Sequence, residues 1–143
     1  MLGIGLPGLE IQIGANGWPF VLTFPTKDVH LGGVRRAVGD WLDEQTISLE
    51  ARSALVLAAH EAVANAVEHG QAGHTVRIRG RVDDGIVTME VSDERGWQQA
   101  TFDDEERGRG IMLIAGLMDE FELSSNGPGT TLRMVRAVMP LST

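Results

Sequence analysis

The chain contains no cysteine, which excludes disulfides and thiolate metal sites and suits a reducing compartment. It also lacks an excess of positive charge. The formal net charge is −8 at pH 7, the opposite of the basic footprint that nucleic-acid binders carry. Long apolar runs are missing as well, and none approaches the roughly 20 residues of a membrane span. The opening Met1 to Gly8 is apolar but short, broken by glycine and Pro7 and without a basic flank, so it does not read as a signal peptide. Residues 1–9 are expected to be a poorly ordered N-terminus. Repeats and low-complexity tracts are absent. These absences predict a soluble, cytoplasmic protein with neither nucleic acid nor membrane as its partner.

What is present is enough for a core. With 143 residues, 43% of them apolar, the chain predicts a single domain over 1–143, a size that buries roughly two-thirds of its unfolded surface. Glu10 to Ile13 and Phe20 to Phe24 read as short strands around a turn at Ala15-Asn16-Gly17. From Val29 to about Glu44, Val34, Val38, Trp41 and Leu42 recur at helical spacing. Thr46 or Ser48 caps a long helix that ends near His69, with Gly70 as its stop. Val76, Ile78 and Val82 alternate with Arg77, Arg79 and Arg81, and Val87, Met89 and Val91 alternate with Thr88, Glu90 and Ser92. Both are strands with one face in the core. A polar segment from Glu94 to Glu106 precedes a third helix marked by Ile111, Ile114, Ala115 and Met118, and strands at Phe121–Ser124 and Thr131–Val138 finish the chain. The pattern predicts an α+β two-layer sandwich, a mostly antiparallel or mixed sheet with three helices on one face.

The long helix carries the first chemistry. Glu61, Asn65 and His69 recur every four residues and share one side, which places a carboxylate able to act as base near an amide oxygen able to ligate a metal. Leu55, Val56, Ala59, Ala62, Val63, Ala66 and Val67 form the apolar arc. Ala54, Leu57 and Ala58 lie on the polar side beside Glu61, Asn65 and Glu68, small and apolar neighbours that suit a pocket wall. A polar helix face in water is the plainer reading, and His69 in the last turn suits the helix dipole.

Asp93 continues the phase of Val87, Met89 and Val91, so it is expected to point toward the buried side. A carboxylate there needs a partner, for which the amine of a purine would serve; a turn aspartate is the plainer alternative. Gly108 and Gly110 are read as immediately preceding the helix near Ile111, where bare backbone N–H groups favour phosphate and Arg107 and Arg109 add charge. Gly127-Pro128-Gly129 reads as a strand-to-strand turn, and the acidic run Asp103 to Glu106 as the solvated part of a flap. Arg77, Arg79 and Arg81 form a basic stripe on the sheet face away from the helices, either paired with Glu90 across strands or open to an acidic protein.

The order Glu61-x-x-x-Asn65, Asp93-x-x-Gly96, Gly108-x-Gly110 before a helix and Gly129-Thr130-Thr131 before a strand resembles the GHKL (Bergerat-fold) ATPase superfamily, which includes gyrase, MutL and the histidine kinases. The compact length and the run Gly110-Ile-Met-Leu-Ile-Ala-Gly-Leu-Met-Asp119 look most like the anti-sigma-factor serine kinases of the RsbW and SpoIIAB type. The resemblance covers roughly Val29 to Val138. It implies an ATP-binding anti-sigma factor with serine/threonine-protein kinase activity that phosphorylates a serine on an anti-anti-sigma (STAS) partner in a partner-switching system. In that reading Glu61 is the general base and Asn65 ligates Mg²⁺ at the ATP phosphates. Asp93 accepts from the adenine amine, and Gly96 belongs to the same segment. Gly108 and Gly110 let the lid backbone approach the phosphates, Arg107 neutralises developing charge, and Thr130 or Thr131 sits near the adenine. The resemblance further implies a homodimer that binds a sigma factor, with Arg35 or Arg36 of the first helix as contacts.

One departure stands out. The family usually shows Asp-x-Gly-x-Gly, whereas this chain has Asp93-Glu94-Arg95-Gly96-Trp97, with one glycine displaced and tryptophan in place of the other. Trp97 either covers the adenine or anchors the flap. The alternative function is therefore a sigma-sequestering or regulatory module of the same fold with weak catalysis. A histidine-kinase catalytic domain is a third option, and it would require a dimerisation helix with a phosphorylatable histidine outside these 143 residues.

Overall fold

The computed structural model describes residues 10–12, 17–27, 29–69, 75–93, 105–126 and 129–138. Two strands open it, β1 (Glu10–Gln12) and β2 (Phe20–Pro25), followed by two helices, α1 (Leu31–Asp43) and α2 (Leu49–His69). Next come β3 (Thr75–Asp83) and β4 (Ile86–Asp93), then α3 (Glu105–Leu117), β5 (Glu120–Asn126) and β6 (Gly129–Ala137). The strands form one sheet in the order β1-β2-β3-β4-β6-β5. Every pairing is antiparallel. The expected α+β sandwich is therefore observed, with no parallel pair among the described strands.

The first two helices form because each has both a cap and an apolar face. His30 caps α1, its Nδ1 accepting the Gly33 N–H at 2.9 Å. Val34, Ala37, Val38, Trp41 and Leu42 then face inward, and Trp41 stacks on Phe20 of β2 with ring centroids 5.0 Å apart. Of the two candidate caps for α2, Ser48 serves: its Oγ accepts the Ala51 N–H at 3.1 Å. Arg52 holds Asp43 with Nε 2.5 Å from Oδ1, tying the end of α1 to the start of α2. Strands β3 and β4 are joined by Asp84-Gly85, both at positive φ, the two-residue turn whose twist matches a hairpin.

The core lies between one face of the sheet and the helices. Leu22, Phe24, Ile78, Met89, Leu132 and Met134 meet Val38, Leu42, Leu55, Val63 and Ile114 there. Two expectations about the helices need correction. The buried arc of α2 runs through Ala51, Ala54, Leu55, Ala58, Ala59, Ala62, Val63 and Ala66, so Ala54 and Ala58 belong to the core. Val56 and Val67 are only partly buried against it. The arc is set by where small residues permit close approach to α3 and the sheet, which a hydrophobicity ranking misses. The second correction concerns α3, which starts at Glu105 rather than near Ile111. Gly108 and Gly110 are consequently inside the helix and do not form a loop ahead of it. Gly110 is buried against Asn65 of α2, a tertiary contact that overrides the weak helix propensity of glycine.

Among the described residues no helix is long and apolar enough to cross a membrane.

Candidate functional site

The expected site residues fall on two layers. On the helix layer, Glu61 and Asn65 stand one turn apart at a margin of the buried arc of α2. Glu61 is partly buried, and Asn65, at 7% exposure, is one of only four buried polar residues among those described. The reason for its burial is α3. A Cβ built on Gly110 would stand 3.0 Å from Asn65 Nδ2 and 3.4 Å from Oδ1, so the bare α-carbon of Gly110 lets α3 settle directly on the amide. Spacing in α2 alone could not show this contact, because it depends on where the third helix begins.

On the sheet layer, Asp93 closes β4. It is 1% exposed and lies opposite Thr130 of β6, which is itself buried. The phase argument for Asp93 was therefore sound: its side chain follows Met89 and Val91 to the helix-packed face. Both Asp93 and Thr130 are engaged within the protein, as a buried carboxylate and hydroxyl must be. The two threonines separate. Thr130 shares the face of Asp93, whereas Thr131, one residue on, pairs with Ser92 and belongs to the opposite face of the sheet. Only Thr130 is placed to act with Asp93.

Other expected residues are only partly described. Gly108 is within α3, while Gly96 and Trp97 lie outside the described residues, as do Gly70, Gly127-Pro128 and residues 1–9. Arg107 is on α3, with its side chain outside the described set. Arg35 is exposed on α1 and its Nη1 lies 3.1 Å from His60 Nδ1 of α2, while Arg36 is exposed. Among the described residues no three His, Cys, Asp or Glu side chains converge as a metal cluster. The donor available to a cation near α2 is the hard amide oxygen of Asn65, chemistry that suits Mg²⁺ when phosphate and water oxygens complete the shell.

Comparison with known proteins identifies the family and the fold. Residues 24–136 match the family of the histidine kinase-like ATPase domain. No protein of curated function matches the sequence. Among solved structures, the chain is similar to the RsbU and RsbW domains of Rv1364c from Mycobacterium tuberculosis, with a TM-score of 0.66 and 24% identity over 82% of this chain and 32% of that one. It is also similar to the histidine kinase domain of the blue-light activated histidine kinase from Erythrobacter litoralis, with a TM-score of 0.54 and 21% identity over 80% of this chain and 62% of that one. The chain thus spans about a third of the first and under two-thirds of the second, and at these identities the likeness establishes the fold. The family match covers most of the sequence, and on that ground this chain belongs to the histidine kinase-like ATPase domain family, an ATP-binding fold.

Proposed function

We propose that the chain is an ATP-dependent protein serine kinase of the anti-sigma-factor type, acting on a serine of an anti-anti-sigma (STAS) protein in a partner-switching system. The observation that carries this reading is the juxtaposition on α2. A partly buried carboxylate, Glu61, stands one turn from a buried amide, Asn65, and the amide is met by a residue without a side chain, Gly110. The family match supplies the ATP-binding fold around it. The RsbW domain in one of the similar structures supports the choice of kinase type.

In this reading Asp93, held on the helix-packed face with Thr130, accepts from the exocyclic amine of adenine. Asn65 offers its amide oxygen to Mg²⁺, which would neutralise phosphate charge in the transition state. Glu61 takes the proton of the attacking serine hydroxyl as that oxygen bonds to the γ-phosphorus, and the bond from the γ-phosphorus to the β–γ bridging oxygen breaks to release ADP. Arg107 of α3 balances charge on the transferred group, Gly110 seats α3 on the Asn65 amide, and Gly96 serves the adenine segment. The working unit is a homodimer that binds a sigma factor through α1, where Arg36 is exposed. The compartment is the cytoplasm.

The test is phosphate transfer from labelled ATP to a candidate anti-anti-sigma protein, alongside calorimetry with Mg-ATP. Glu61→Gln is expected to abolish transfer with nucleotide affinity largely kept, and Asp93→Asn to weaken binding. Transfer at the normal rate by Glu61→Gln removes the base assignment. Nucleotide binding and sigma-factor capture without transfer by the wild type establish the alternative, a sequestering module.

A further inference from the structure

The face of the sheet away from the helices carries a second feature, which the proposed kinase does not use. Antiparallel register sets its residues in rows. One row runs Val21, Arg79, Glu90, Arg133, Glu122 across β2, β3, β4, β6 and β5. Its four charges alternate in sign, and Arg79 Nη2 donates to Glu90, so this row is internally neutralised. The next row runs Thr23, Arg77, Ser92, Thr131, Ser124. Beyond Thr23 the row continues to Glu10 of β1; from β2 to β5 its one charge is the Arg77 guanidinium, flanked by hydroxyls. Arg77 is exposed and has no ion-pair partner among the described residues.

Over this row lies an open cavity of about 250 Å³ lined by Arg77, Arg79, Ser92, Asp93, Gly129, Thr130 and Thr131. The one acid among the described lining residues, Asp93, follows Met89 and Val91 to the other face of the sheet. Arg79 is held from the far side by Glu90 and by Trp18, whose ring its guanidinium covers at 4.6 Å. Its Nε has no acceptor among the described residues. The cavity therefore presents one guanidinium with no ion-pair partner among the described residues and two hydroxyls, on three neighbouring strands.

We propose that the Arg77, Ser92 and Thr131 side of this cavity is an oxyanion site for a phosphomonoester, bordering Asp93 and Thr130 of the proposed nucleotide site but using none of its donors. The donor set selects the class. Arg77 supplies the bidentate fork that matches phosphate, and Ser92 and Thr131 supply single donors from adjacent strands. A phosphate ester, with three terminal oxygens and more charge than a carboxylate, can accept from all of them. The cavity, about 250 Å³, has room for an oxyanion with an attached group, as in a phosphorylated serine or a small phosphorylated metabolite.

The test is titration of the full chain, without nucleotide and at constant ionic strength, with O-phosphoserine, with a short phosphoserine peptide and with inorganic phosphate. Amide NMR shifts and calorimetry are the readouts. Saturable binding of either ester with shifts centred on Arg77, Ser92 and Thr131 is expected, tighter than for inorganic phosphate. Preference for the peptide over the free amino acid assigns a protein source, and the reverse a metabolite. Arg77→Gln weakens the ester roughly tenfold, and Arg77→Lys gives an intermediate loss. Arg133→Gln, in the neutralised row, has little effect. Mg-ATP affinity is unchanged by Arg77→Gln, so this outcome stays distinct from the kinase proposal. The inference is overturned if no ester binds saturably, if Arg133→Gln and Arg77→Gln weaken it equally, or if saturating Mg-ATP abolishes it.

Discussion

Gly110 of α3 rests on the Asn65 amide of α2 so closely that a Cβ at position 110 would stand 3.0 Å from Nδ2. Elsewhere on the same helix, Gly116 is exposed with nothing within 4 Å of where its Cβ would be. The two glycines thus separate helix propensity from contact. Gly116→Ala is expected to raise unfolding free energy by about 0.5–1 kcal/mol. Gly110→Ala gains the same propensity term but must displace Asn65, so its net change should fall at or below zero. Denaturant unfolding of both variants measures the difference. Equal stabilisation would show that Asn65 yields freely, and the close contact would then impose nothing on the amide.

The two helix caps make a matched pair. Ser48 Oγ accepts the Ala51 N–H at 3.1 Å, and His30 Nδ1 accepts the Gly33 N–H at 2.9 Å. Removing either acceptor leaves a first-turn donor without its partner, so Ser48→Ala and His30→Ala should each cost about 1 kcal/mol. Ser48→Asp should keep the cap, since the carboxylate accepts the same bond and suits the dipole. Thermal melts of the three variants check this. A neutral Ser48→Ala would mean that the cap at α2 does not contribute to stability.

The elements were largely legible because their signals are local. Alternation placed β3 and β4, and the Val34, Val38, Trp41, Leu42 spacing placed α1. The same phase argument put Asp93 on the buried side, where it is found. What the sequence hid depends on long-range placement. The start of α3 is not legible because glycine is a helix breaker in isolation, while the seat of Gly110 on Asn65 exists only in the folded chain. Thr130 and Thr131 could not be separated before the register of β6 against β4 was known. The cavity at Arg77 was equally invisible: its hydroxyl row draws single residues from five strands, and no window of sequence contains it.

Close approach also governs Gly80 of β3. A Cβ there would meet the Trp41 ring at 2.6 and 2.7 Å, and that ring is stacked on Phe20 and fixed in the core. A rigid aromatic cannot give way as a flexible chain end does. Gly80→Ala is therefore expected to destabilise by about 2–3 kcal/mol. Trp41→Phe alone should also be costly, because it leaves a void. In the double variant, however, the new methyl meets a smaller ring, so the two losses should sum to more than the measured total. Denaturant unfolding of the four proteins reads the coupling, and simple additivity would refute the steric account.

Arg79 and Arg81 both lie 4.6 Å over the Trp18 ring, yet their ion pairs differ in surroundings. The Arg79–Glu90 pair leaves 28% and 16% of the side chains exposed, whereas Arg81–Asp83 spans 3.4 Å with 41% and 73% exposed. Solvent screens the second pair and leaves it worth little, about 0–0.5 kcal/mol. The first is shielded, and deleting one partner strands a half-buried charge, so Arg79→Ala or Glu90→Ala should each cost about 1–3 kcal/mol. Double-mutant cycles are expected to give a coupling of about 1 kcal/mol or more for Arg79–Glu90 that persists in molar salt, and near zero for Arg81–Asp83. If both cycles return the same small value, the charge alternation along that row does not neutralise Arg79 in any energetic sense. Arg79 would then be as available to an oxyanion as Arg77, and Arg79→Gln should weaken phosphoserine binding as strongly as Arg77→Gln.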